Sequence, residues 1–121
     1  MDLIRYTEKL DRAHFAAGDM ICTKGEVGTV MYVIVRGEVD VRSDEVRSVR
    51  LGPGESFGEM SLIDKSPRSA TVVAVSDVSL APVNKATFLV LVQDTPHFAL
   101  EVMRSLSDRL RRANEMQGAE G

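Results

Sequence analysis

The sequence has one cysteine, Cys22. A single thiol cannot close an internal disulfide, and without a CxxC pair there is no thiolate zinc site. Long apolar runs are also missing. The longest is Val30 to Val35, far short of the roughly 20 residues that a membrane-spanning helix needs. There is no positive excess: 15 Lys and Arg stand against 18 Asp and Glu, for a net charge of −3. That argues against binding to nucleic acid or to an anionic membrane surface through bulk charge. Met1-Asp2-Leu3-Ile4-Arg5 lacks the charged-then-apolar layout of a signal peptide. His14 and His97 are far apart and share no metal-ligand spacing, so no metal site is expected. What is present is ordinary: 121 residues, 44% hydrophobic and 27% charged, room for one domain with a normal core. The expectation is a single cytoplasmic domain over 1–121, without membrane insertion.

The chain changes character near Asn84. Before it, turn residues such as Gly18-Asp19, Lys24-Gly25-Glu26, Gly28, Gly37-Glu38 and Gly52-Pro53-Gly54 separate short runs rich in β-branched residues. Val30–Val35, Val39–Val41, Thr71–Val75 and Val78–Leu80 read as strands of a sandwich or barrel. The first of these is apolar at consecutive positions, as expected of a strand buried on both sides. After Asn84, Ala86, Phe88, Leu89 and Val92 recur at helical spacing up to Asp94-Thr95-Pro96. Thr95 is a candidate N-cap, with Pro96 at the first position of a second helix. That helix is expected to run to about Met116, with Phe98, Ala99, Val102, Met103, Leu106 and Leu110 forming its apolar face. Leu3 to Leu10 reads as a short leading helix, and Gln117 to Gly121 as a frayed end. The strands then span about 12–84 and the C-terminal helices about 85–116.

The informative stretch is Phe57-Gly58-Glu59-Met60-Ser61-Leu62-Ile63-Asp64-Lys65-Ser66-Pro67-Arg68-Ser69-Ala70-Thr71-Val72. Gly58 permits close approach of backbone to a ligand. Glu59 to Leu62 can form one helical turn whose free N–H groups point at an anion. Pro67 halts the loop, and Arg68 supplies a cation suited to phosphate. Ser69 and Ala70 leave room beside it. Glu59 would be repelled by the anion itself, but it can accept hydrogen bonds from sugar hydroxyls. Phosphate together with ribose means a nucleotide. A plain structural ion pair between Arg68 and Glu59 is the competing reading of the same two residues.

F-G-E-M-S-L followed by P-R-S-A-T-V resembles the phosphate-binding cassette of the cyclic nucleotide-binding domain family, which includes bacterial catabolite activators, kinase regulatory subunits and cyclic nucleotide-gated channels. Phe15-Ala16-Ala17-Gly18-Asp19, Gly25-Glu26, the Tyr32-to-Val35 strand leading to Gly37, and Leu51-Gly52-Pro53-Gly54 match in order and spacing, over roughly Arg12 to Arg112. The resemblance implies that Arg68 pairs with the exocyclic oxygens of the cyclic phosphate and that Glu59 accepts the ribose 2′-hydroxyl. Backbone N–H groups around Gly58, Met60, Ser61, Ser69 and Ala70 would complete the cradle. The purine would lie on Val41, Val49, Phe57 and Val72. Arg109 falls at the spacing from Arg68 that channel-type members use for a lid over the base, where a guanidinium stacks on the ring. Ser69 carries a hydroxyl that can reach the 2-amino group of a syn guanine, yet serine here also occurs in cAMP binders. The resemblance therefore implies cAMP as ligand, with cGMP open.

The expected fold is mainly β: an eight-stranded jelly-roll β-roll with a short N-terminal helix, a cassette turn and two C-terminal helices. The expected function is reversible cyclic nucleotide binding as a sensor, with the last helix closing over the base. No catalytic nucleophile with a base is evident, so an enzyme is not expected, nor a cofactor beyond the nucleotide ligand. A separate protein effector is the expected partner. Leu106 and Leu110 suit either a homodimer through the C-terminal helix or packing onto the roll. Arg104, Arg109, Arg111 and Arg112 read as a solvated helix face rather than a DNA contact. The alternatives are a fragment of a cAMP-dependent transcription regulator or gated channel, and a β-roll interaction module that has lost binding. The methionines read as core filler, and Cys22 as a small buried hydrophobe.

Overall fold

The computed structural model describes residues 3–120. Eight strands form two four-stranded antiparallel sheets. One sheet runs in the order β1 (Ala13–Phe15), β8 (Val78–Asn84), β3 (Val30–Arg36), β6 (Ser56–Phe57). The other runs β2 (Met20–Cys22), β7 (Thr71–Ala74), β4 (Val39–Arg42), β5 (Ser48–Leu51). This is the expected jelly-roll arrangement. The helices are α1 (Met60–Ile63), α2 (Lys85–Asp94) and α3 (His97–Glu120), and a 3-10 turn, Ile4–Thr7, leads the roll.

Two apolar cores share the first sheet as a wall. Inside the roll, Ile34, Leu80, Val78 and Phe57 meet Cys22, Val39, Leu51, Val72 and Ala74 from the opposite sheet. On the outer side, Met31, Val33, Ala81 and Val83 pack against Leu3, Phe98 and Val102. Successive residues of a strand point to opposite faces, so β3 supplies both cores. Met31, Val33 and Ile34 are all fully buried, which explains its unbroken apolar run.

Strand β8 continues well past the Val78–Leu80 run that marks it in the sequence, and it contains Pro82. Its partner β1 pairs only with Val78 to Leu80, so beyond Leu80 the strand has β3 on one side alone. A proline without an N–H is tolerated at such an edge. At the next boundary the Asn84 side chain accepts from Thr87 N at 2.8 Å and caps α2.

Three points in the helical layer, and a fourth concerning the methionines, depart from expectation. Thr95 does not act as an N-cap through its hydroxyl, which instead donates back to Leu91 O at 2.7 Å and closes the C-terminus of α2. Only part of the expected apolar face of α3 is covered: Phe98 and Val102 are buried, whereas Met103 and Leu110 are 55% and 64% exposed. The helix rests on the roll through its first turns, so residues on its flank face outward. It also extends to Glu120 rather than ending near Met116, since propagation is cheap once a helix is nucleated and no proline stops it. Finally, of the methionines whose side chains are described, Met31 is core, while Met20, Met60 and Met103 are at least half exposed.

Phe98 joins the helices to the roll. It is fully buried and makes edge-on contacts with Tyr6 and Phe88 at ring-centroid distances of 5.4 and 5.3 Å. Phe98→Ala is expected to destabilise the chain by about 3–5 kcal/mol, measured by urea denaturation. A loss below about 1 kcal/mol would mean that α3 is held by other contacts.

Candidate ligand-binding site

Strand β6 is followed by Gly58, whose φ of 84° lies in the left-handed region. A Cβ there would sit 2.5 Å from Arg68 Nη1 and 3.2 Å from the Val30 carbonyl. The chain then winds into α1, where Ser61 N donates to Gly58 O and Leu62 N to Glu59 O. It reverses through Asp64, whose carboxylate accepts from Ser66 N at 3.0 Å. Hydrogen bonds from Ser66 hold the Asp64 carboxyl below the ordinary carboxylate range. The return arm hangs on the loop that precedes β3: Val27 bridges Pro67, Arg68 N donates to Glu26 O at 2.7 Å, and Gly25 N donates to Arg68 O at 2.8 Å. Arg68 is thus fixed at its backbone on both sides.

Its side chain is equally constrained. Arg68 Nη2 donates to Val30 O at 2.9 Å and Nη1 to Gly58 O at 3.3 Å. The guanidinium lies against Gly28, where a Cβ would stand 2.2 Å from both Cζ and Nε. Only a residue without a side chain leaves that seat open. Cys22, 5% exposed, is on the same wall; burial pushes its thiol pKa up, and the charge of Arg68 partly opposes this.

Glu59 is 6% exposed. Its ion-pair partner is Arg109 of α3, with Nη1 3.7 Å from Oε2, so the simple Arg68–Glu59 pair is not what forms. Arg109 Nη2 also donates to the Ser56 carbonyl. Burial pushes the Glu59 carboxyl pKa above its ordinary value, against the opposing influence of Arg109, its own backbone N–H and Arg68. Three atoms around this pair are buried without a hydrogen-bond partner among the described residues: Glu59 Oε1, Ser56 Oγ and Arg109 Nε. The other arginines of α3 diverge. Arg112 reaches Glu55 at 3.4 Å and Arg111 reaches Asp108 at 3.3 Å, while Arg104 is exposed.

These groups enclose a cavity of about 120 Å³. It is lined by Gly58, Glu59, Met60, Ser61, Arg68, Ser69 and Ala70, and by Val41, Phe57, Val72 and Arg109. Val49 is not among the lining residues; it pairs with Val41 from β5 and packs against the roll core. Cys22, Pro67 and Leu106 also line the cavity, and Gly28 seats Arg68 from behind. Leu106 was expected only on the apolar face of α3; its place one helical turn before Arg109 was the signal that it would line the cavity. Gly28 carried no local signal, because its partner lies far along the chain. A larger open depression of about 700 Å³, lined by residues including His14, Arg36 and Asp77, shares no residue with this cavity. Among the described residues no group of His, Cys, Asp and Glu is placed to hold a metal, and no helix is long and apolar enough to cross a membrane.

A jelly roll in which one loop carries a cation, a carboxylate and a glycine turn into one small cavity defines a class of binding domain. Residues 12–95 match the sequence model of the cyclic nucleotide-binding domain, and the chain belongs to that family. It is 43% identical over 93 residues to a cyclic nucleotide-gated potassium channel of Rhizobium etli, covering 77% of this chain and 26% of the channel. The crystal structure of the Thermus thermophilus catabolite activator protein superposes with a TM-score of 0.78 at 32% identity, covering 97% of this chain and 57% of that one. A chain solved in work on a cyclic-GMP-dependent signalling pathway of bacterial phytopathogenesis also gives a TM-score of 0.78, at 28% identity, with 90% and 91% covered. The chain therefore spans about a quarter of the channel and just over half of the activator.

Two outcomes follow from this geometry. Gly28→Ala is expected to push the Arg68 guanidinium off its carbonyl partners and to lower stability by about 1–2 kcal/mol in urea denaturation; wild-type stability would show that the seat is dispensable. Because the Glu59 pKa is raised, ionising this group costs stability as pH rises from the ordinary carboxylate range through its raised value. Glu59→Gln cannot ionise. It is expected to melt above wild type at pH 7 and to lose that advantage near pH 4, where Glu59 is protonated. Parallel melting curves across that range would contradict the burial argument.

Proposed function

We propose that this chain is the sensor module of a signalling protein and binds a 3′,5′-cyclic nucleotide reversibly, cAMP in preference to cGMP, with no further cofactor and no catalysis of its own. The observation that carries the reading is the convergence of Arg68, Glu59 and the Gly58 turn on one cavity. Arg68 takes the exocyclic phosphate oxygens, exchanging carbonyl partners for an anion and a stronger, charge-assisted contact. N–H groups at Gly58, Met60, Ser61, Ser69 and Ala70 complete the phosphate cradle. Glu59 accepts the ribose 2′-hydroxyl through Oε1, which is buried and has no hydrogen-bond partner among the described residues. The base lies on Val41, Phe57 and Val72, with Leu106 and Arg109 above it. The preference for cAMP rests on the family resemblance at Ser69, whose hydroxyl leaves cGMP a foothold.

The cavity of about 120 Å³ is below the roughly 300–1,000 Å³ of a typical ligand pocket. Nucleotide therefore has to move lining side chains, and Arg109 and Leu106 take α3 with them. Such a helix shift is the output: a change in population between helix positions, read by an effector within a longer chain or on a separate protein. In this reading the domain works in the cytoplasm and has no contact with nucleic acid of its own. The exposed Met103 and Leu110 place apolar surface on α3, where such an effector or a second copy would sit.

Isothermal titration of nucleotide-stripped protein with cAMP, cGMP and 5′-AMP tests this reading. Saturable binding of a cyclic nucleotide but not of 5′-AMP is expected, and Arg68→Ala should weaken it by about 2–3 kcal/mol. Folded, empty protein that gives no heat with either cyclic nucleotide would leave the roll as a binding-deficient scaffold.

A further inference from the structure

We propose that the open depression of about 700 Å³, at the end of β3 opposite the cassette, is a second ligand site that takes the carboxylate group of a small molecule on Arg36. The proposal does not depend on the cyclic nucleotide reading, because the depression and the cassette cavity have no lining residue in common.

Three polar side chains from three strands share one row there. His14 on β1 is opposite Ser79 on β8, and Ser79 is opposite Arg36 on β3. Ser79 lies between Val78 and Leu80, which belong to the roll interior, so Ser79 itself faces outward. Strict alternation along β3 would send Arg36 inward with Ile34. The register shifts between those two residues, and this irregularity sets Arg36, which is exposed, beside Ser79 instead. His14 Nδ1 and Ser79 Oγ share a hydrogen bond of 2.9 Å. Gly37, at a φ of 85°, brings the β3–β4 turn against the Asp77–Val78 segment. A Cβ at Gly37 would stand 2.3 Å from the Asp77 carbonyl oxygen and 2.7 Å from Val78 Cγ1, so a side chain there would force the two segments apart.

Arg36 is the unpartnered member of this row. Its side chain makes no hydrogen bond or ion pair among the described residues. Asp77 lines the same depression, yet its Oδ1 accepts from Ala17 N at 3.0 Å and it forms no ion pair with Arg36. Asp19 is likewise engaged, by Ala16 N at 2.9 Å. A guanidinium kept from these internal counter-ions presents a forked donor to an oxyanion from outside. The Ser79–His14 pair beside it supplies a further polar contact. The ligand's charge follows from the same groups. With one cation and the Asp77 carboxylate in the depression, a singly charged carboxylate is complementary, whereas a phosphate dianion meets repulsion that one arginine does not offset. Phe15 and Val78 also line the depression and offer apolar surface to the carbon skeleton of a small organic acid. Its volume of about 700 Å³ lies within the range of small-molecule sites.

The test is a residue-resolved NMR titration of the nitrogen-15-labelled chain with sodium acetate, sodium succinate and sodium phosphate, against sodium chloride at matched ionic strength. The reporters are Arg36 Nε–H and the backbone amides of Gly37 and Ser79. They are separate from the amides of Gly58 and Ser69, so an anion that enters the cassette cavity is told apart. Acetate and succinate are expected to shift the three reporters saturably, phosphate to do so more weakly, and chloride to leave them in place. Arg36→Gln should weaken the carboxylates by about fivefold or more, Arg36→Lys should recover only part of that loss, and Ser79→Ala should weaken them less. Arg36 is exposed, so its replacement leaves the fold intact, which the unchanged remainder of the spectrum checks. Shifts that grow without saturation, that chloride reproduces, or that persist in Arg36→Gln would mean charge screening only and would overturn the proposal. Tighter binding of phosphate than of either carboxylate at the same reporters would overturn the assignment of the ligand as a carboxylate. None of these outcomes bears on whether cAMP or cGMP binds at the cassette.

Discussion

Strand β3 is buried on both faces, and the rest of the molecule is arranged around that constraint. Tyr32 and Ile34 serve the roll interior, while Met31 and Val33 form the floor on which the helices rest. Both of its edges are occupied too. β8 pairs along one side and β6 along the other, with Tyr32 opposite Phe57 and Val33 opposite Ser56. The Val30 carbonyl at the start of the strand receives Arg68. One strand therefore sets the position of the cassette entrance at Phe57-Gly58, of the cation that faces it, and of the surface that α3 must cover.

The site is costly to build, and its electrostatics show how the cost is contained. A carboxylate sits almost wholly out of water beside two guanidinium groups, and none of the three is paired ideally. Arg68 leans on carbonyl oxygens, Arg109 is divided between Glu59 and Ser56, and Glu59 keeps one oxygen without a partner. Buried polar groups of this kind destabilise unless they are fully hydrogen-bonded. Their concentration in one small cavity, beside well-packed apolar cores, fits a region shaped for a ligand carrying both an anion and a hydroxyl. α3 is bound to the roll by two different kinds of contact. Phe98 and Val102 hold its first turns by apolar burial, and Arg109 and Arg112 hold its later turns by ion pairs with Glu59 and Glu55. Of these later contacts, the Arg109–Glu59 pair borders the cavity.

Much of the roll was legible because its signals are local. The β-branched runs between turn residues marked the strands, and the unbroken apolar stretch of β3 announced a strand covered on both faces. The cassette was legible for the same reason, since Gly58, Glu59, Arg68 and Ser69 sit within a short span of chain. Errors gathered where the deciding partner is remote, except at Thr95, where two local hydrogen bonds compete. Pro82 hides a strand that only the brevity of β1 permits. Thr95 has the look of an N-cap, but its hydroxyl finds the Leu91 carbonyl behind it. The periodicity of α3 shows an apolar face without showing how much of it the roll can reach, and Met103 and Leu110 lie beyond that reach.

The amino-acid order by itself determined the class of the protein and the residues of its loop: a β-roll with a glycine, a carboxylate and an arginine at fixed spacing. Only the folded chain decided which of those residues meet. Glu59 finds Arg109 rather than Arg68, Val49 turns to the core while Leu106 joins the cavity, and Gly28 provides the seat for the Arg68 side chain. The reason is physical. Turn chemistry and strand patterning act between near neighbours, whereas ion pairing, burial and steric room depend on segments that only packing brings together.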